Sequence, residues 1–119
     1  LTLPNATAAA RHKARIALAT VAEMQASLKT GDERIALLNI ALAYCLEVLN
    51  GKDTAEADRP DPHALKEAGV RAGNLAEELG LWSQAVNVYT NLANMLPTLR
   101  PFFERKALKA QAHMTPAPP

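Results

Sequence analysis

The chain has 119 residues, 13 basic and 12 acidic side chains, and a formal charge of +1. This length favours one domain, and so small a charge argues against nucleic-acid binding, which normally needs a large basic excess. The single cysteine, Cys45, excludes an internal disulfide. No apolar run approaches the roughly 18 residues that cross a bilayer, so we expect no membrane partner. The first residue is Leu1 rather than Met, which indicates a processed or trimmed chain, and we expect a cytoplasmic protein.

Two helices are predicted in the first 50 residues. The first runs from Asn5, which can cap a helix, to about Leu28. Its predicted buried face has apolar residues in steps of three and four: Ala10, Ala14, Ala17, Val21, Met24 and Leu28. The second begins after a capping box of Thr30 and Glu33 and ends at Asn50–Gly51. Its predicted buried face is Ile35, Leu38, Leu42, Cys45 and Leu49.

Residues 51–60 have no apolar period and are predicted to form a polar loop. A third helix starts at Asp61–Pro62 and ends at Gly80. A fourth covers about residues 83–96, and a fifth runs from Phe102 to about His113. The predicted buried residues of the third and fourth helices are Leu65, Ala68, Ala72, Leu75 and Leu79, then Ala85, Val88, Tyr89, Leu92 and Met95. The pattern predicts an all-α fold with antiparallel neighbours in residues 1–114, and a mobile tail at 115–119.

The spacing around the fourth helix resembles a tetratricopeptide repeat. Gly80 and Trp82 end the turn between two helices, Ala85 and Tyr89 follow, and Pro97 closes the unit. The resemblance covers residues 66–99, one unit of 34 residues, with small Gly73 at the expected crossing of the two helices. It implies stacked antiparallel helix pairs with a binding groove.

A weaker copy of the spacing occurs earlier in the chain. Gly31, Ala36, Ile40 and Ala43 reproduce the positions of Gly80, Ala85, Tyr89 and Leu92. The loop residues 49–53 and 60–64 resemble the inter-repeat loop of kinesin light chains, although Val70 and Arg71 stand where that family has paired Asn. The resemblance implies two repeats, at about 5–50 and 61–97, and a capping helix at about 101–113. Small bacterial proteins of this type accompany bacterial tubulins, which implies an accessory protein of a tubulin-like filament.

No catalytic or metal-binding pattern is present in the sequence. The three histidines, His12, His63 and His113, lack metal-ligand spacing. Cys45 occupies an apolar helical position with no basic neighbour to activate it. The five glycines form no phosphate-binding loop. We therefore expect neither enzymatic activity nor a cofactor, and we expect protein–protein interaction instead.

The resemblance also implies which residues bind a partner. The groove positions of the second repeat are Glu67, Val70, Arg71, Asn74, Glu77 and Glu78, and those of the first are Leu18, Val21, Gln25 and Leu28. Phe103 and Arg105 are further candidates at the end of the stack, and both chain ends are basic. Alternatively these are ordinary core or solvated residues, the groove takes an unrelated peptide, or the chain is a regulatory domain of a larger protein.

Overall fold

The computed structural model describes residues 8–50 and 62–114, and all regular structure in these two ranges is helical. The helices are α1 (Ala8–Ala26), α2 (Gly31–Leu49), α3 (Pro62–Glu78), α4 (Trp82–Met95) and α5 (Arg100–Ala112), with a 3₁₀ turn at Pro97–Leu99. The all-α prediction is confirmed. The predicted cap at Asn5, the loop 51–60, the cap at Asp61 and the tail 115–119 lie outside the described residues.

Side-chain pairs between helices establish that consecutive helices are antiparallel. Arg15 near the start of α1 pairs with Glu47 near the end of α2. Arg34 at the start of α2 pairs with Glu78 at the end of α3. Trp82 begins α4 and stacks on His113, just beyond α5, with ring centroids 3.9 Å apart and planes 6° apart. The chain therefore forms two antiparallel helix pairs, followed by α5 packed against α4.

The α3–α4 pair is built on two glycines of α3. A Cβ atom at Gly73 would collide with the ring of Tyr89, and one at Gly69 would collide with the side chain of Leu92. The missing side chains thus let the helices approach closely, and Tyr89 and Leu92 fill the space between them with no exposed surface. A close crossing of the two helices at Gly73 is what the repeat-like spacing predicts.

The first helix pair does not repeat this register. Ala36, Ile40 and Ala43, which were predicted to match Ala85, Tyr89 and Leu92, are exposed. The buried residues of α2 are Leu38, Ala41, Leu42, Cys45 and Val48. Counted from the preceding glycine, the buried face of α2 starts two residues later than that of α4, and two residues turn a helix by about 200°. The predicted match between α2 and α4, counted from Gly31, is therefore wrong. The predicted burial of Leu38, Leu42 and Cys45 is confirmed.

The predicted buried face of α1 is wrong. Val21, Met24 and Leu28 are 49%, 63% and 82% exposed. The buried face instead has small alanines with one isoleucine and two polar residues: His12, Arg15, Ile16, Ala19, Ala22 and Ala26. Two apolar faces exist on this helix, and hydrophobic periodicity favours the one with larger side chains. The alanine face is buried because it lets α1 lie close to α2.

Predicted helix ends agree with the structure more often than predicted faces. Gly80 has a φ of 74° and ends α3, with the Leu81 N–H donating to the carbonyl of Ala76 and the Gly80 N–H to that of Glu77. Thr30 is the N-cap of α2, but its side chain makes no capping hydrogen bond, so the predicted capping box is absent. Helix α5 starts at Arg100, two residues before the predicted start.

Core positions in the second half follow the prediction closely. Ala68, Ala72 and Leu75 of α3 are buried. So are Ala85, Val88, Tyr89 and Leu92 of α4, whereas Met95 is 40% exposed. None of the helices in the described part of the chain combines the length and apolarity required to cross a bilayer.

Candidate functional site

Arg71 occupies the centre of the predicted groove, where it joins α1 and α3. Its Nη1 donates to Oε2 of Glu23 at 2.6 Å, and its Nε lies 4.0 Å from Oε2 of Glu67. Each of these side chains is roughly one-third exposed. Arg71, a predicted binding residue, thus also connects the first helices of the two pairs, and a partner would meet one guanidinium between two carboxylates here.

The other predicted groove residues of α3 also contact neighbouring helices. Glu78 forms an ion pair with Arg34 of α2. Tyr89 donates its hydroxyl hydrogen to Glu77, and the side-chain oxygen of Asn74 lies 3.4 Å from the same hydroxyl. Burial, and then the bond to the charged Glu77, raises the pKa of Tyr89. The tyrosine therefore remains a neutral donor at physiological pH.

The remaining groove candidates differ in exposure. Val70 is half-buried and packs against the core. In the first unit, Leu18 is half-buried, whereas Val21, Gln25 and Leu28 are exposed. The structure therefore divides the predicted groove into an apolar half on α1 and a polar, internally paired half on α3.

Cys45 is fully buried at the centre of α2. Burial, and then the nearby charge of Glu23, raises the pKa of the Cys45 thiol to about 12. The thiol is therefore protonated at neutral pH, and a buried, protonated thiol is a poor nucleophile. The prediction that Cys45 fills the core is confirmed.

Helix α5 presents a basic and aromatic face. The choice of Phe103 as a partner-binding residue is wrong, because Phe103 has no exposed surface, whereas Phe102 is 41% exposed. The two rings meet edge to face, with centroids 5.1 Å apart. The Lys106 ammonium lies 5.8 Å from the Phe102 ring and 5.3 Å from the Tyr89 ring. Arg105 is exposed.

A cleft between α2 and α4 combines apolar and amide side chains. Its volume is about 210 Å³. The lining residues are Leu46, Leu49, Asn50, Gln84, Asn87, Val88, Asn91 and Met95. Gln84, Asn87 and Asn91 are spaced by three and four residues, so their amides follow one line along α4. None of the hydrogen bonds between described residues uses these three amides.

The amide side chains of the cleft are aligned beside an apolar floor, which consists of Leu46, Leu49, Val88 and Met95. This combination suits the backbone of a peptide. Each amide offers both a donor and an acceptor, and an extended peptide backbone presents both kinds of group. The cleft lies on the second helices of the two pairs, whereas the predicted groove lies on the first helices. The amide spacing on α4 was the available signal, but the sequence does not reveal that Leu46 and Leu49 lie opposite it.

Within residues 8–50 and 62–114, no group of three His, Cys, Asp or Glu side chains is placed to hold a metal ion. No known protein family, curated protein or solved structure matches this chain. The resemblance to tetratricopeptide repeats and kinesin light chains therefore stays a prediction from the spacing of residues.

Proposed function

We propose that this protein is a non-catalytic interaction module that holds a peptide segment of a partner protein in the cleft between α2 and α4. The observation that carries this proposal is the line of three amides, Gln84, Asn87 and Asn91, beside an apolar floor. The amides give directional hydrogen bonds to a peptide backbone, and the floor gives apolar burial.

Polar side chains of α3 already have partners within the protein, which also favours the cleft as the binding surface. On α3, Arg71, Glu77 and Glu78 are engaged with Glu23, Tyr89 and Arg34. A partner would have to compete with those contacts for their polar groups. The amides on α4 require no such exchange, so binding at the cleft loses less interaction energy within the protein.

The test is capture of partners from a lysate of the natural host by three forms of the chain. The forms are the wild type, Asn87→Arg in the cleft, and Asn74→Arg on α3. Both asparagines are exposed and helical, which makes the second variant a matched control. We expect a protein captured by the wild type to be lost with Asn87→Arg, because the arginine fills the cleft, and kept with Asn74→Arg.

Circular dichroism establishes that both variants fold before capture is compared. Loss of the captured protein with Asn74→Arg alone would favour the groove on α1 and α3 and contradict the cleft. Conversion of a small molecule by the purified chain, abolished by an Asn87→Arg exchange, would contradict a non-catalytic role.

A second candidate function is docking to an acidic filament of the tubulin type. The specific observation is the basic and aromatic face of α5, where Arg105 and Lys109 are one helical turn apart beside Phe102 and Lys106. Such a face attracts an acidic surface and tolerates an apolar contact at its centre.

Cosedimentation with a polymerised bacterial tubulin tests this candidate. We expect the wild type to sediment with the polymer and to be released as salt rises from about 50 to 300 mM. Arg105→Glu combined with Lys109→Glu should abolish sedimentation, whereas Lys66→Glu on α3 should not. Sedimentation that is independent of salt, or unchanged by the α5 variant, would remove this candidate.

A further inference from the structure

Helix α1 carries a second apolar face, opposite its buried one. It consists of Ala10, Ala14, Ala17, Val21 and Met24 on the helix and of Leu28, two residues beyond the end of α1 at Ala26, and the spacing of the six alternates between four and three residues. The last three are 49%, 63% and 82% exposed. Strict alternation of four and three is the pattern of a coiled-coil seam, in which a helix packs along its length against another helix. We call these six residues the α1 seam.

Side-chain sizes along the α1 seam are ordered from small to large. The first half consists of alanines, and the second half of valine, methionine and leucine. When a second α1 is laid antiparallel about a twofold axis level with residue 19, Ala10 faces Leu28 of the second copy, Ala14 faces Met24, and Ala17 faces Val21. Every layer then has one small and one large side chain, so the distance between helices stays constant. Parallel copies would place alanine on alanine at one end and leucine on leucine at the other.

Charges beside the α1 seam favour the same arrangement. Arg11 and Lys13 flank its first half, whereas Gln25 and Ser27 flank its second half, and the charge of Lys29 beyond that half is paired with Glu33. The antiparallel arrangement brings the basic side chains of one copy to the carboxyl end of the other helix, where the helix dipole favours cations. A parallel arrangement would gather the four basic side chains at one end, where they repel each other.

We propose that the α1 seam is a homodimer interface in which two copies of this chain pack antiparallel through α1. The exposed seam residues would together bury on the order of 900 Å² in a pair, which is slightly below the ~1,000 Å² expected of a lasting interface. The dimer is therefore weak and reversible, and it forms at high protein concentration. It leaves the α2–α4 cleft open, so each dimer presents two clefts to its partners.

Sedimentation velocity of the full chain between about 10 μM and 1 mM tests the proposal, since these concentrations bracket a weak dimer. We expect the average mass to rise from one chain toward two. Val21→Asp should raise the dissociation constant about tenfold or more, because it buries a charge against Ala17 of the second copy. The matched control is Ile40→Asp on α2, since Ile40 is 47% exposed and Val21 49%. It should leave association unchanged.

A charge-pair exchange tests the antiparallel register directly. Ala17→Lys alone should also weaken the dimer, and mixing it with the Val21→Asp protein should restore association, since the two new charges face each other in one of the two central layers. Circular dichroism and thermal melting at low concentration verify that each variant folds, and Met24→Lys mixed with Ala14→Asp, which face each other in the same register, replaces a pair in which either variant does not fold. A wild-type chain that stays monomeric at 1 mM, equal weakening by Ile40→Asp, or no recovery on mixing would each overturn the proposal.

Discussion

The α3–α4 pair is held by two glycines that face large side chains, whereas the α1–α2 pair is held by an alanine face and a buried ion pair. Gly73 admits the Tyr89 ring in the first case. In the second, Arg15 is 3% exposed at its side chain and its Nε donates to Glu47 at 3.1 Å. The two pairs share an antiparallel arrangement but differ in chemistry. The α3–α4 pair should therefore be sensitive to side-chain volume, and the α1–α2 pair should be sensitive to charge.

The largest expected effect concerns Phe103 of α5, whose ring is buried in the core with residues of α3 and α4. Phe103→Ala should lower the free energy of unfolding by about 4 kcal/mol, because it removes a fully buried ring and leaves a cavity. Phe102→Ala, at the exposed neighbour, should cost below about 1 kcal/mol. Urea denaturation measures both. Equal losses would contradict the placement of the two rings.

Substitution of the helix-crossing glycines tests the sensitivity of the second pair to volume. Gly73→Ala should destabilise by about 2 kcal/mol, because its methyl group meets the rigid Tyr89 ring. Gly69→Ala meets the flexible side chain of Leu92, and the gain of up to about 1 kcal/mol in helix propensity offsets that contact. Thermal melting should therefore rank Gly73→Ala well below Gly69→Ala. The reverse ranking would show that Tyr89 yields more easily than Leu92.

Removal of the carboxylate from the ion pair tests the sensitivity of the first pair to charge. Glu47→Ala should cost about 1–2 kcal/mol, because the buried Arg15 guanidinium loses its observed carboxylate contact while Glu47 itself is 30% exposed. Arg15→Met should cost less, since it removes the buried charge and keeps the length of the side chain. Chemical denaturation of both variants gives the comparison, and a larger loss for Arg15→Met would point to packing rather than charge.

The smallest effect is alkaline destabilisation through Cys45 of the first pair. Its folded pKa of about 12 is above the usual 9.0, so the stabilisation of the neutral thiol is complete below pH 9 and declines between pH 9 and 12. At pH 10 the loss should be about 1 kcal/mol. Cys45→Ala should show a smaller decrease in the free energy of unfolding between pH 8 and 10. An identical decrease would assign the alkaline effect to other groups, such as Tyr89.

The helices themselves could be read from the sequence, because their ends depend on local chemistry. Gly80 ends α3 through its positive φ, Pro97 begins the turn that follows α4, and Pro101 lies in the first turn of α5. The close crossing of α3 and α4 could also be predicted, because a residue as small as Gly73 lets two helices approach, whereas the contact of Gly73 with Tyr89 is known only from the structure. The candidate cleft could not be predicted from the sequence. Leu46 and Asn87, which both line it, belong to distant segments, and no sequence pattern links them.

Sequence alone thus determined an all-α chain, its main helix boundaries and the buried face of the second helix pair, since these follow from backbone preferences and from one unambiguous apolar stripe per helix. Tertiary structure decided which face of α1 is buried and which of Phe102 and Phe103 is in the core. In both cases the two alternatives, opposite faces of α1 and adjacent rings of α5, are similarly apolar. The space between neighbouring helices selects one alternative in each case. It is narrow at the buried face of α1, where alanines fit, and it is wide enough at α5 for the ring of Phe103.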